Sequence, residues 1–330
     1  MENILLLGGA GYVGTVITED FLSKGYKVTV IDNFTYGNHN ATVSFLGNPN
    51  YKLIYGNCGS RKDLSRIKDR IDGVIILFGL VGDPITKKYP QLSERVNIKD
   101  IKFAIDFFDD KDIQNMVFIS TCSNYGVIKE NEMADENFIL TPLSHYSKAK
   151  VEIEKYFLNK KNKVGYTGTV LRFSTAFGIS PRMRFDLSIS EFVKDLYMGN
   201  ELDIYDENTW RPYCHVRDFA KLLDMILKEK KDNINFEVFN AGGDENNFTK
   251  KMIVDEISKH IPNANCRYVE NGSDPRNYRV SFEKVKNIVG FEPFYTVDMG
   301  IKELIYAMQM GFFNDVSLNR EKYGNYLIKN

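Results

Sequence analysis

The sequence predicts an α/β fold, a doubly wound parallel sheet joined to a smaller, discontinuous second lobe. Three observations carry this. Short β-rich apolar runs alternate with amphipathic helical stretches through the first half of the chain, the pattern of βαβ units. The runs are nearly continuous in Val, Ile, Leu and Phe, as in strands covered on both faces. A glycine array, GGAGYVG, follows the first run directly.

Taken in order, strands are expected at 4–7 (ILLL), 27–32 (KVTVID), 52–56 (KLIYG), 73–79 (GVIILFG), 116–120 (MVFIS) and 169–173 (TVLRF). Between the first two, YVGTVITEDFLSKG places Val13, Val16, Ile17 and Phe21 on one helical face and closes at Gly25, a helix C-terminal glycine. After Phe173 the rhythm weakens, and GISPRMRFDL (178–187) clusters Arg, Met and Pro. FEVFNAGG (236–243) then reads as a strand returning to the first sheet. The expected division is therefore 1–174 plus 212–243 for one lobe and 175–211 plus 244–330 for the other. The sequence shows no internal repeat and no Pro/Gly/Ser-rich linker.

A chain of 330 residues with 43% hydrophobic content can bury a sizeable core. Lys and Arg number 43 against 44 Asp and Glu, so a net charge of −1 gives no global field to draw nucleic acid or an anionic membrane. Cys58, Cys122, Cys214 and Cys266 lie far apart with no C-x-x-C spacing, which argues against a zinc site or a disulfide framework and fits a reducing cytoplasm. MENILLLGG lacks the basic flank and long apolar core of a signal peptide, and VIILFGLVG (74–82) is too short to span a bilayer. The expectation is a cytoplasmic protein with no metal, nucleic-acid or membrane partner.

In GGAGYVG, Gly8, Gly11 and Gly14 open a helix straight after a strand. Gly8 suits a tight turn, Gly11 a close approach of pyrophosphate to the backbone, and Gly14 close helix packing, while the helix N-terminus offers N–H donors. The second strand ends in Asp32, where a carboxylate accepts hydrogen bonds from adenosine ribose hydroxyls. These are the marks of a Rossmann-type dinucleotide site. A 2′-phosphate beside Asp32 would repel it by roughly 4 kcal/mol per pair of unit charges at about 4 Å. Residues 33–36 are Asn, Phe, Thr and Tyr, with no local cation to offset that cost. The expected cofactor is NAD rather than NADP.

SHYSKAK (144–150) sets Tyr146 and Lys150 one helical turn apart on one face. That spacing alone fits both a solvated helix surface and a proton-transfer couple. With a nicotinamide implied, an ammonium one turn away and a positive ring both favour the phenolate and lower the tyrosine pKa. STCSNYG (120–126) supplies a hydroxyl, Thr121, at the C-terminal end of the fifth strand, where ligands of open α/β sheets bind.

With GGAGYVG, DNFTYGN (32–38), STCSNYG, YSKAK, RPYCHVRD (211–218) and DPRNYRVSFEKV (274–285) in this order, the chain resembles an extended short-chain dehydrogenase/reductase of the nucleotide-sugar epimerase and dehydratase family. The resemblance implies Tyr146 as base, Lys150 as its electrostatic and ribose partner, and Thr121 as the substrate's hydroxyl ligand. It implies cofactor contacts from Gly8, Gly11, Tyr12, Val13, Gly14, Asp32, Asn33, Asn57, Cys58, Phe78, Gly79 and Leu80, besides Tyr146 and Lys150. Substrate contacts fall to Thr121, Ser123, Thr175, Arg182, Arg184, Arg211 and Arg276. Arg211 and Arg276 would hold the diphosphate, since guanidinium forks pair bidentately with phosphate. A homodimer is implied through the helix at 93–108 and the Tyr146 helix. GISPRMRFDL is similar, locally, to bacterial enzymes that oxidise C4 of GDP-heptoses for capsule biosynthesis; Arg182 and Arg184 are then diphosphate or sugar contacts, or else solvated loop charges.

Two departures from the family pattern matter. Asn57 stands where many relatives carry an acid near adenine. Cys122 and Ser123 stand where 4,6-dehydratases carry an Asp–Glu pair, so elimination of water has no evident acid/base carrier. Cys122 and His215 read as packing residues, and Asp218 as the N-cap of FAKLLDMILK. The expected function is NAD-dependent oxidation at C4 of a nucleotide-diphosphate sugar, as a 4-epimerase or 4-dehydrogenase, in bacterial surface polysaccharide sugar biosynthesis. The alternatives are a 4-keto-sugar reductase, a 3,5-type epimerase, or a noncatalytic NAD-binding sensor.

Overall fold

All six apolar runs and the returning FEVFNAGG segment enter one sheet in the computed structural model, which describes residues 2–129, 131–270, 272 and 274–328. In chain order the strands are β1 (Asn3–Leu7), β2 (Lys27–Asp32), β3 (Tyr51–Tyr55), β4 (Gly73–Ile76), β5 (Asn115–Thr121), β6 (Thr167–Phe173), β7 (Thr175–Phe177), β8 (Leu202–Tyr205), β9 (Trp210–His215), β10 (Glu237–Ala241), β11 (Asn247–Thr249) and β12 (Cys266–Val269). The large sheet runs β10-β6-β5-β4-β1-β2-β3, with every pair parallel. The strand order reverses beside β1, which opens a crevice at the carboxyl ends of β1 and β4.

Continuous apolar strands bury both faces. Leu6, Val30, Ile75 and Ile119 point to one core, and Leu5, Leu7, Ile31, Val74, Ile76 and Phe118 to the other. The first core is roofed by the helices Tyr12–Ser23, through Val16, Ile17 and Phe21, and Val216–Lys228. The second packs against Ile101–Phe107 and His145–Leu158. Each fully buried aliphatic side chain contributes on the order of 1.5–3 kcal/mol. Gly25, just past the first helix, takes φ 84°, as a helix-terminating glycine does.

Three local features differ from the sequence expectation. β4 stops at Ile76, not at residue 79. Gly79 adopts φ 158°, and the buried Asn97 side chain holds the backbone of Leu80, accepting its N–H at 2.7 Å and donating to its carbonyl at 3.0 Å. Leu77 and Phe78 still donate to the Leu7 carbonyl at 2.9 Å each, and beyond them the Asn97 bonds hold Leu80 in place of a ladder. The single helix expected at 93–108 is split by a π-helical turn, Arg95–Asp100, which carries Asn97 between the helices Pro90–Glu94 and Ile101–Phe107. Finally, Asp218 is not an N-cap. His215 caps Val216–Lys228, its Nδ1 accepting the Arg217 N–H at 3.2 Å, while Asp218 accepts the amides of Phe294 and Tyr295 at 2.9 Å each. His215 is fully buried and meets Glu303 at 2.9 Å through Nε2, so it serves packing and capping together.

Beyond the large sheet, β9 lies between β7 and β11, and β8 pairs with β12. β9 runs across residues 211 and 212, where the sequence placed a boundary. Among the described residues no helix is long and apolar enough to cross a membrane.

Candidate active site

A cavity of about 820 Å³ opens over the carboxyl ends of β1, β2, β4 and β5, and every residue nominated above for cofactor, catalysis or substrate borders it. The glycine loop forms its floor. Gly8 has φ 84°, and a Cβ there would lie 2.6 Å from Phe78; a Cβ on Gly14 would lie 2.6 Å from the Gly9 carbonyl oxygen. Gly11 differs: the nearest atom to its Cβ would be 3.8 Å away, so its small size leaves room on the cavity side rather than relieving a clash within the protein. Gly11 is also the N-cap of the Tyr12 helix, and no side chain caps it.

The GISPRM segment clamps this loop from above. Tyr12 donates to the Gly178 carbonyl at 2.6 Å, Ser180 Oγ donates to the Tyr12 carbonyl at 2.6 Å, and Thr15 and Ser180 hydroxyls meet at 3.0 Å. Asp32 accepts the Ala10 and Phe34 amides at 2.9 and 2.8 Å, one on each carboxylate oxygen. Burial pushes its pKa up, the two amides opposing. Each oxygen keeps a further lone pair for a ribose hydroxyl. Asn57 accepts the Gly59 amide at 2.9 Å, and the buried Cys58 thiol donates to the Ile31 carbonyl at 3.4 Å.

A Ser144 capping box starts the helix His145–Leu158, whose turns stack Tyr146, Lys150 and Glu154 at intervals of four. Lys150 Nζ donates to the Ile119 carbonyl at 2.6 Å and stands 4.7 Å from the Phe118 ring centre and 5.8 Å from that of Tyr146. Burial pulls its ammonium down to about 7, with Glu154 opposing. The sequence expected Lys150 to lower the Tyr146 phenol. In the protein, burial instead raises it, with Arg184 and Arg276 opposing and Asp83 and Tyr278 reinforcing.

Thr121 ends β5 and shares a 2.8 Å hydrogen bond with the Ser123 hydroxyl, while its Oγ1 accepts the Ser123 amide at 3.2 Å. Cys122 turns away from the cavity; its thiol donates to the Arg172 carbonyl at 3.1 Å and burial pushes its pKa far up.

At the far end, three distant segments meet. Asp274 receives Arg276 bidentately, at 2.7 Å on each oxygen, and Arg211 at 3.0 Å; Arg276 also reaches Asp83 at 3.2 Å. The two guanidinium groups hold the Asp274 carboxyl far below the usual carboxylate range. Arg184 is paired bidentately with Asp186 at 2.9 and 2.7 Å. Arg182 makes no ion pair among the described residues: it donates to the Gly324 carbonyl at 3.1 Å, stacks 5.2 Å from the Tyr36 ring centre, and acts electrostatically on Asp32. Burial and Arg184 pull its pKa down to about 10. This is a cation near Asp32 that residues 33–36 did not disclose.

The cavity walls hold three buried polar atoms with no hydrogen-bond partner among the described residues: Tyr36 Oη, Asp83 Oδ1 and Asn325 Oδ1. The open Gly11 face and the uncapped helix N-terminus fit the phosphates of a dinucleotide, and the two unpartnered oxygens of Asp83 and Asn325 fit hydrogen-bond donors on a ligand. Tyr36, Asp83, Asp186, Asp274, Tyr278 and Asn325 escaped the sequence reading. Asp186 and Asp274 had a local signal, an acid two residues from an arginine; Asn325 had none.

The profile of the NAD dependent epimerase/dehydratase family matches residues 4–242. UDP-glucose 4-epimerase of Corynebacterium glutamicum is 26% identical over 89% of this chain and 91% of its own length. Among solved structures, dTDP-glucose 4,6-dehydratase from Bacillus anthracis in complex with NAD superposes with a TM-score of 0.81 at 25% identity, covering 94% of this chain and 97% of that one. UDP-glucose 4-epimerase of Thermotoga maritima with UDP-glucose gives a TM-score of 0.83 at 23% identity, covering 94% and 99%. The chain therefore belongs to the NAD dependent epimerase/dehydratase family, and is an enzyme whose cofactor is NAD.

Proposed function

We propose that this enzyme oxidises C4 of a nucleotide-diphosphate sugar, as a 4-epimerase or a 4-dehydrogenase, in the making of sugars for a bacterial surface polysaccharide. One observation carries the reading: Thr121 and the Tyr146–Lys150 face border the same cavity as the glycine loop, and a paired cation cluster, Arg211 and Arg276, closes its other end. The glycine loop, Asp32 and Lys150 would hold NAD, which supplies the hydride acceptor. Thr121 orients the sugar hydroxyl by a hydrogen bond, and Tyr146 takes its proton as the carbonyl forms. Arg211 and Arg276 bind the diphosphate, with Asp274 fixing both forks in place. Arg182 and Arg184, which line the same cavity, are further phosphate or sugar contacts in this reading.

Loss of water is not part of this reading, because Cys122 is buried against Arg172 and Ser123 carries no carboxyl. The curated relative and the Thermotoga structure are named for UDP-glucose, so uridine diphosphate sugars head the substrate panel. In this reading 1–174 plus 212–243 hold the cofactor and the remaining segments the sugar nucleotide. The half-buried Phe103 and Phe107 beside the Tyr146 helix support a homodimer through these two helices. Mass spectrometry of ligands released from the purified protein, followed by turnover of UDP-, GDP-, CDP- and dTDP-sugars, tests the proposal. It fails if no sugar nucleotide is bound or converted. Light scattering tests the dimer.

A further inference from the structure

The segment 320–326 spans the cavity from wall to wall. On one side the Tyr323 carbonyl accepts the Phe185 amide at 2.8 Å, the Gly324 carbonyl accepts the Arg182 guanidinium at 3.1 Å, and the Asn325 amide donates to Asp186 at 3.0 Å. On the other, Asn325 Nδ2 donates to the Val81 carbonyl at 3.1 Å, on the loop that leaves β4. Asn325 is thus bonded to both walls and is only 8% exposed. Asn325 lines the cavity, and its Oδ1 is buried with no hydrogen-bond partner among the described residues.

Turning the amide over would set its oxygen against the Val81 carbonyl, so the oxygen stays the unpartnered end of the amide. A buried acceptor left without a donor is unfavourable, and such groups in native proteins mark a missing partner. The partner must be a donor, which excludes a bare phosphate oxygen. Among the groups that a dinucleotide and a sugar nucleotide share, ring hydroxyls supply that donor. Resting on the function proposed above, we propose that Asn325 is a ligand-binding residue whose amide oxygen accepts a hydrogen bond from a hydroxyl of a bound sugar ring, cofactor ribose or substrate hexose. The segment 320–326 then completes the site.

Calorimetry of NAD with cofactor-free protein, and of sugar nucleotides with NAD-loaded protein, separates the two sources. Wild-type binding is measured first and by itself tests the functional reading. Asn325→Ala is expected to weaken one of the two ligands about 3- to 20-fold and leave the other within twofold, the affected arm naming the ring. Both ligands weakened alike with a lower melting temperature would show a structural tie only and overturn the proposal, as would no change in either. A second measurement needs no variant: in the wild type, one deoxy analogue of the affected ring should lose affinity by a similar factor. If every deoxy analogue binds like its parent, the proposal is overturned.

Discussion

Glu154 and Arg172 form an ion pair of 2.8 Å beneath the cavity, with side chains only 2% and 5% exposed. Glu154 is the third residue of the Tyr146–Lys150–Glu154 face, so the pair ties the Tyr146 helix to β6. Asn124 Nδ2 and Ser120 donate to the same carboxylate, and Tyr125 accepts from the guanidinium and donates to Asn240 at 2.7 Å. Thr121 sits at the edge of this network.

Breaking that pair from one side leaves a charge buried alone. Glu154→Ala should destabilise the fold by about 3–5 kcal/mol, whereas Glu154→Leu with Arg172→Met, which removes both charges, should cost much less. Chemical denaturation of the single and double variants checks this.

Lys150, one helical turn from Glu154, gives the cofactor-free protein a pH-dependent contribution of known sign. Burial lowers its pKa from 10.5 to about 7, so between those values the unfolded chain binds more protons than the folded one. The contribution of Lys150 to stability therefore falls as pH drops from about 10.5 towards 7, and that loss is complete below 7. Lys150→Met lacks this penalty. Its melting temperature relative to wild type should be most favourable below pH 7 and lose that advantage towards pH 10, while turnover falls steeply.

Tyr146→Phe removes only a hydroxyl. Turnover should drop by about two to four orders of magnitude, with NAD and sugar-nucleotide affinities nearly unchanged. Near-normal turnover would reduce SHYSKAK to a helix surface.

Asp274 accepts from both Arg211 and Arg276, which makes it a positioning residue in the proposed reading. Asp274→Ala should weaken sugar-nucleotide binding roughly tenfold or more by freeing both forks, and leave NAD affinity within twofold. Equal loss for both ligands in calorimetry would contradict the assignment of these arginines to the sugar-nucleotide end.

Part of this site was legible because it is local in sequence. Gly8, Gly11, Gly14 and Asp32 obey a spacing set by one strand, one turn and one helix, and Tyr146 and Lys150 one set by a single helical turn. The tertiary contacts were not. Arg182 and Arg211 were named from motifs, but not the reach of Arg182 to Asp32 or the pairing of Arg211 with Asp274, while Asp83, Asp274 and Asn325 were missed, Asn325 lying beyond every motif. β4 was read too long because LFG is as apolar as the strand before it; the bond from Leu80 to Asn97 decides the ending, and no local pattern shows it. Asp218 was read as a cap because acids favour helix starts, yet its carboxylate is held by Phe294 and Tyr295.

The central claim is that hydride leaves C4 of the bound sugar while Tyr146 takes the neighbouring hydroxyl proton. Substrate deuterated at C4, chosen as the sugar nucleotide that binds the wild type in calorimetry, tests it most directly. The account predicts that deuterium is transferred: it returns to C4 of the epimer through the cofactor, or it stays on the nicotinamide as the 4-keto sugar is released. In Tyr146→Phe both products should be nearly lost. Label confined to C4 of unchanged substrate, with neither epimer nor deuterated NADH formed by the wild type, would contradict it.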